Sequence, residues 1–258
     1  MMNLTPKITG QKPRKTGILI ISEDSGANFK YLNDKVASCR PNAANVFPLL
    51  KNSTDAGGPQ PTKIVDYAIQ KLKAENLIYK NGEAENDDAF YKEVYCIVDV
   101  DDNVSNGTLN RALSSIAQEN AANPAIKFHL IISNECFEVW YILHFQDITE
   151  PLYREKSAEK GNIRADKTNN IEFLQKRQVG VKNKKFQDYF DLMKRIGDEA
   201  KAIERARNLQ EKSKTSNPCE NPSTDMHILI TRLNSFKTRL DWKVGSSARP
   251  MNSAITDD

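Results

Sequence analysis

The chain of 258 residues lacks the cysteine pattern of a zinc protein or a disulfide-bonded protein. Its four cysteines are far apart in the sequence and form no CxxC pair. Cys96 and Cys136 lie in apolar runs, a placement typical of small buried hydrophobic residues. We therefore expect a cytoplasmic protein without disulfides and without a zinc site.

Long hydrophobic segments and common catalytic motifs are also missing. No run approaches the roughly 18 apolar residues of a membrane span, and the N-terminus lacks the apolar centre of a signal peptide. GxSxG, Walker A and GxGxxG motifs are absent. With a mean hydropathy of −0.61 and 28% charged residues, the composition predicts a soluble protein with no membrane partner.

The chain has almost no net charge, which excludes nucleic-acid binding driven by bulk positive charge. It has 37 basic and 34 acidic residues, a net charge of +3. The two signs are unevenly distributed, because residues 1–150 carry 15 basic and 19 acidic side chains, whereas residues 151–215 carry 17 and 10. The middle segment therefore supplies a basic surface, although a solvated helical face would give the same pattern.

Apolar runs alternate with helical patterns over the first 150 residues. Three continuous runs, each typical of a buried strand, occupy residues 17–21, 94–98 and 128–132. A run at 46–50 contains Pro48, which favours an edge strand. Helical spacing follows at 27–36, 62–78 and 108–121. The alternation predicts an α/β fold with a mostly parallel sheet covered by helices on both faces.

The pattern also divides the chain into segments. We predict a flexible basic tail at residues 1–16, an α/β catalytic domain at 17–150, a basic helical region packing on it at 151–240, and a flexible tail at 241–258. In the helical region, residues 186–212 and 224–236 show the clearest helical spacing.

Acidic residues follow the predicted strands, where ligands collect in parallel sheets. Glu23 follows the first run, and Asp99 and Asp101 follow the run at 94–98. Asp99 and Asp101 project to the same side of an extended segment. Clustered carboxylates suit Mg²⁺ or Mn²⁺, so these three acids are candidate metal ligands. An Asp-rich turn with a helix cap would account for the same residues.

The segment from Ser133 to Phe145 predicts a buried helix from about residue 135. Glu138 and His144 in such a helix need a partner, because burial of an unpaired polar group is costly. Glu138 is either a catalytic residue or a structural carboxylate in the first helical turn. Considered by itself, His144 is better explained as a core histidine whose hydrogen bonds are satisfied. His129 and His227 have no partner visible in the sequence.

These residues together resemble the RloB-like family. The specific part is the segment from Ser133 to Trp140 followed by Leu143-His144-Phe145, and the resemblance covers about residues 17–236. Further matching features are Ser22-Glu23, Asn28, Tyr31, Asp99-Val100-Asp101, Ala202-Ile203, Ala206, and Asn221-Pro222-Ser223-Thr224 with His227 and Leu229.

The resemblance implies a Toprim-like domain, in which a strand-end glutamate and a DxD motif hold divalent metals for phosphodiester chemistry. Carried over, Glu23, Asp99 and Asp101 would bind Mg²⁺ or Mn²⁺, Glu138 would complete the catalytic set, and Asp102 and His144 would support it. The family also implies a partner ATPase and an antiphage role, as in the abortive-infection pairs AbiL and PARIS, the latter attacking tRNA.

The sequence departs from the family pattern around the glutamate. Asp24 stands in place of the family's glycine, and Ser25 in place of its second acid. Asn28 replaces an acid, and Glu135 replaces a proline. The altered loop favours the alternative that the chain is a catalytically weak sensor or regulatory subunit bound to the ATPase.

The leading hypothesis is a metal-dependent endonuclease of tRNA, other RNA or DNA. The phosphate backbone would be held by basic residues of the 151–215 segment, and the oligomeric state stays open. The candidate contacts are Lys182, Lys184, Lys185, Lys194 and Arg195. Nucleotidyl transfer is a third hypothesis, and no nucleotide-binding motif in the sequence supports it.

Neutralising the lysine cluster should weaken nucleic-acid binding. With Lys182, Lys184 and Lys185 all changed to alanine, the negative slope of log affinity against log salt should become less steep by about 2 to 3. The reason is that fewer counterions are released from the nucleic acid when fewer lysines contact its phosphates. Filter binding over a salt series measures this, with Lys63→Ala as control. Unchanged affinity and slope would show a merely solvated surface.

Overall fold

Four apolar runs and one short polar segment form a five-stranded sheet in the computed structural model of the chain. The structure describes residues 17–23, 26–39, 44–48, 60–74, 91–100, 107–134, 136–149, 189–213 and 221–245. The strands are β1 (Gly17–Ser22), β2 (Ala44–Pro48), β3 (Tyr91–Asp99), β4 (Lys127–Asn134) and β5 (Ser223–Thr224). The helices are α1 (Ala27–Cys39), α2 (Pro61–Ala74), α3 (Thr108–Ala122), α4 (Glu138–Leu143), α5 (Tyr189–Ile196), α6 (Glu199–Ser213) and α7 (Met226–Gly245).

The sheet has the order β2-β1-β3-β4-β5. The first four strands are parallel, and β5 pairs antiparallel with the end of β4. The strand containing Pro48 lies at the edge, as its proline predicts. Because the parallel strands run in one direction, their carboxyl ends meet at a single edge of the sheet.

Helices cover both faces of the sheet, which explains why the inner strands are apolar on both sides. Along β1, Ile18 and Ile20 pack into one core with residues of α1, α4, α5, α6 and α7. Leu19 and Ile21 face the opposite core, formed with α2 and α3. All four side chains are at most 2% exposed. The predicted fold class is therefore confirmed, and the architecture is consistent with a Toprim-like domain.

The helix bounds differ from the predictions in three places. The helix expected from about residue 135 begins at Glu138, and the last helix extends to Gly245. The single helical stretch expected at 186–212 is two helices separated by Gly197 and Asp198. At this break, a Cβ on Gly197 would lie 2.7 Å from the carbonyl oxygen of Met193 and 2.9 Å from Nδ1 of His144, so the close packing requires glycine.

None of the helices in the described ranges combines the length and the apolar composition that crossing a membrane demands. The expectation of buried thiols is confirmed for Cys96 and Cys136, which are 0% and 3% exposed.

A buried ion pair joins α1 to two C-terminal helices. The side chain of Lys35 is 1% exposed, and its Nζ lies 2.5 Å from Oε2 of Glu199 and 2.9 Å from Oδ1 of Asn234. Asn234 also donates a hydrogen bond to the other Glu199 oxygen at 2.8 Å. Burial alone would raise the pKa of Glu199, but the Lys35 charge and these hydrogen bonds outweigh it and lower the pKa. The three side chains therefore form a polar network in which the Lys35 side chain is buried and that of Glu199 stays 32% exposed.

Breaking this network should destabilise the fold. Lys35→Ala removes the only cation bonded to the half-buried Glu199 carboxylate among the described residues, and we expect the free energy of unfolding to fall by about 3 kcal/mol. Chemical denaturation at pH 7 measures the loss. The control Lys30→Ala removes an exposed lysine whose 2.6 Å ion pair with Asp34 lies on the same helix, and it should cost less than about 1 kcal/mol. Equal effects of the two variants would contradict a structural role for the buried pair.

Candidate active site

Two of the predicted strand-end acids are direct neighbours. Glu23 follows β1, and Asp99 is the last residue of β3, the parallel strand beside it. The backbone N–H of Asp99 donates a hydrogen bond of 2.9 Å to Oε2 of Glu23. This bond holds the Glu23 carboxylate across the end of β3, so that both acids lie at the carboxyl edge of the sheet.

The ladder between β3 and β4 continues to the same edge. Asp99 lies opposite Ser133, and the N–H of Val100 donates to the Ser133 carbonyl at 2.9 Å. Asp101 and Asp102 follow this last paired position but lie outside the described residues, as do Asp24 and Ser25. Within the described ranges, no three His, Cys, Asp or Glu side chains form a group that could hold a metal ion.

Glu138 follows β4, the next strand along the sheet. It is the first residue of α4, four positions beyond the end of β4, as predicted from its place in the sequence. Its Oε2 atom is buried and has no hydrogen-bond partner in the part of the chain that the structure describes. Burial, with the Glu138 charge as a second cause, raises the pKa of Tyr189 to about 12. An unpaired buried carboxylate oxygen is costly in a folded protein, which makes Glu138 a candidate acceptor for a ligand or water.

A segment that the sequence analysis missed completes this edge. The two-residue strand β5 places Thr224 opposite Ser133, and the two hydroxyl oxygens lie 2.8 Å apart. Asp225 follows, and its N–H donates to the Ile132 carbonyl at 2.9 Å. The only signal in the sequence is the match of Asn221-Pro222-Ser223-Thr224 to the family pattern, which predicts no strand.

The remaining candidates lie elsewhere. His144 follows the other end of α4, about 9 Å along the helix axis from Glu138. His129 stacks on Tyr95 with ring centroids 4.5 Å apart in the interior of the sheet. His227 lies on α7 with Nδ1 3.3 Å from the Thr224 carbonyl oxygen.

The candidate nucleic-acid contacts are described only in part. Lys194 and Arg195 are exposed in the last turn of α5, whereas Lys182, Lys184 and Lys185 lie outside the described residues.

The fold and these positions define an α/β protein with acidic residues collected at the carboxyl edge of a parallel sheet. A model of the RloB-like protein family matches residues 18–233, which include all of the described acids at this edge. The chain therefore belongs to the RloB-like family. No curated protein and no solved structure matches it.

Burial of His144 should make the fold sensitive to mild acid. Burial lowers its pKa from 6.5 to about 4, and the charges of Glu199, Lys35, Asp198 and Arg205 modify the effect. The unfolded chain thus takes up this proton first, and stability falls as the pH drops from about 6.5 to about 4.

The variant His144→Leu tests the contribution of this one side chain. Between about pH 6.5 and about pH 4, the free energy of unfolding of this variant should fall less than that of the wild type, by up to about 3 kcal/mol. Urea denaturation at half-unit pH intervals gives the two slopes, and their difference is independent of any constant packing penalty. Identical slopes would show that the pKa of His144 is the same in the folded and the unfolded chain.

Proposed function

We propose that this protein is a metal-dependent endonuclease that acts on nucleic acid as the effector of an antiphage system with a partner ATPase. The hydrogen bond from Asp99 to the Glu23 carboxylate carries the proposal, because it brings together two acids from different strands at the edge where parallel sheets bind ligands. Membership of the RloB-like family supports the assignment.

The donor atoms at this edge fit a hard divalent cation. Glu23 and Asp99 supply carboxylate oxygens, and Asp101 follows two positions later in the sequence. Mg²⁺ or Mn²⁺ held there would neutralise phosphate charge and lower the pKa of an attacking water. Glu23, Asp99 and Asp101 are the proposed ligands.

The protein residues have separate tasks in this proposal. The N–H of Asp99 orients the Glu23 carboxylate, so that one of its oxygens is fixed before any substrate binds. The buried Oε2 of Glu138 is an acceptor that can orient a water molecule or accept its proton. The polyanion must be attracted by charges placed elsewhere, since the acidic edge repels phosphate, and the basic segment at 151–215 supplies them.

Cleavage assays with matched variants test the proposal. The full-length chain, alone and with an ATPase from the same locus, is incubated with tRNA, other RNA and plasmid DNA in Mg²⁺ or Mn²⁺. Glu23→Gln and Asp99→Asn should each lower the cleavage rate by about 10³-fold or more, since each removes a charge that binds the cation. Asp66→Asn, an exposed acid on α2, should leave the rate unchanged.

Calorimetric titration with Mn²⁺ provides a readout apart from cleavage. The wild type should bind the ion, and Glu23→Gln and Asp99→Asn should weaken binding at least tenfold. If the wild type cuts no substrate in either metal, or if the variants cut equally well, the nuclease assignment fails. Mn²⁺ binding without cleavage, even with the ATPase present, would instead favour a sensor or regulatory subunit.

A further inference from the structure

Asn28 presents an amide group at the carboxyl edge of the sheet. It is the second residue of α1, the helix that follows β1 and the loop after Glu23, so it lies at the end of α1 nearest to that edge. Side chains on a helix lean towards its N-terminus. The amide of Asn28 is therefore directed towards the edge that carries Glu23 and Asp99.

One hydrogen bond determines which side of this amide faces the protein. The Tyr141 hydroxyl donates to Oδ1 of Asn28 at 3.0 Å. Because Oδ1 is turned towards Tyr141, Nδ2 is turned away from it. Nδ2 bonds to no described residue, and it is not fully enclosed, since Asn28 is only half-buried. Its two N–H donors are thus open to a ligand.

The orientation of the amide is fixed because the Tyr141 ring is tightly packed. This ring is 0% exposed and stacks on the Tyr189 ring with centroids 4.4 Å apart. It also contacts the rings of Tyr31 and Phe137, each with a centroid distance of 5.3 Å. The hydroxyl that holds Asn28 is therefore in position before a ligand binds, and a preorganised donor loses little conformational entropy on binding.

The same aromatic contacts connect Asn28 with Glu138. Tyr141 comes three positions after Glu138 on α4, and residues at this spacing lie on one face of a helix. Burial, and after it the charge of Glu138, raises the pKa of Tyr189, whose ring stacks on Tyr141. The Asn28 amide therefore lies on the side of α4 that carries the buried Glu138 oxygen.

An acidic edge needs hydrogen-bond donors to hold a phosphate group. Ionised Glu23, Asp99 and Glu138 side chains offer only acceptors. The hydroxyls of Ser133 and Thr224 are hydrogen-bonded to each other. A carboxamide N–H donates to a phosphate oxygen without adding a positive charge that would repel a bound cation, and asparagine is among the side chains that contact nucleic-acid phosphates.

We propose that Asn28 binds the phosphate backbone of the substrate beside Glu23 and Asp99, with Nδ2 donating to a phosphate oxygen, and that Tyr141 is the positioning residue for this amide. The inference rests on the proposed function, because it names a substrate contact of the same site. The contact is made to a group that RNA and DNA share, so it gives no preference between them.

The variant Asn28→Asp separates a substrate contact from a structural role. Its carboxylate still accepts the Tyr141 hydrogen bond, so the melting temperature should change by less than about 3 °C. It lacks the N–H donors and adds a negative charge, so KM for the nucleic acid that the wild type cleaves should rise about tenfold or more, with a smaller change in kcat. Steady-state cleavage and thermal unfolding measure the two effects.

Two further variants test the orientation and the added charge. Tyr141→Phe keeps the ring but releases the Asn28 amide, so KM should rise by about threefold. Gln70→Glu makes the same change of charge at an exposed position of α2, on the opposite face of the sheet, and should leave KM unchanged.

The inference is overturned if Asn28→Asp leaves KM unchanged or if Gln70→Glu raises it equally. It is also overturned if Asn28→Asp strengthens Mn²⁺ binding and speeds cleavage, because the position would then suit a metal ligand and not a phosphate donor.

Fluorescence anisotropy with labelled tRNA, other RNA and DNA distinguishes failure of this inference from failure of the proposed function. A wild type that binds one of them without cleaving it contradicts the nuclease assignment, and Asn28→Asp should still weaken that binding about tenfold. A wild type that cleaves while Asn28→Asp behaves identically contradicts only the role of Asn28. A wild type that neither binds nor cleaves any of the three contradicts both.

Discussion

The buried charge of Lys35 is the constraint on which one face of this protein depends. An ammonium group that is 1% exposed needs an anion and hydrogen-bond acceptors inside the protein. Glu199 and Asn234 provide them, and they come from α6 and α7, far along the chain from α1. Three helices that are far apart in the sequence are therefore joined at one point by a single buried lysine.

At the carboxyl edge of the sheet, residues that are far apart in the sequence are brought together by strand pairing. The parallel pairing of β1 with β3 brings Glu23 to the N–H of Asp99, and the pairing of β3 with β4 extends the edge to Ser133. Here the Glu23 side chain is oriented by a main-chain hydrogen bond, which needs no particular side chain at position 99. The two acidic residues stay neighbours because the strands that precede Glu23 and end with Asp99 are fixed by the two cores.

The parts of this structure that were predictable are those with a local pattern. Continuous apolar runs predict β1, β3 and β4, and the strand ends predict that Glu23 and Asp99 meet. The strand β5 was not predictable, since two residues show no alternation. The burial of Lys35 was not predictable either, because a lysine within a helical pattern ordinarily faces solvent and its partner lies 164 positions away. The close packing of His144 against Gly197, at the break between α5 and α6, is a detail that periodicity does not reveal either.

The helices α1 and α4 are joined near the acidic edge of the sheet by two side-chain hydrogen bonds. Trp140 donates a hydrogen bond of 2.8 Å to the Tyr31 hydroxyl, and Tyr141 donates one of 3.0 Å to Oδ1 of Asn28. These bonds join the first turns of α1 to the middle of α4, between Glu138 at the start of that helix and His144 just beyond its end. Because α1 begins just after the loop that carries Glu23, a displacement of α1 has to move α4 with it or break both bonds. The packing therefore couples the position of α1 to that of the helix that begins with Glu138.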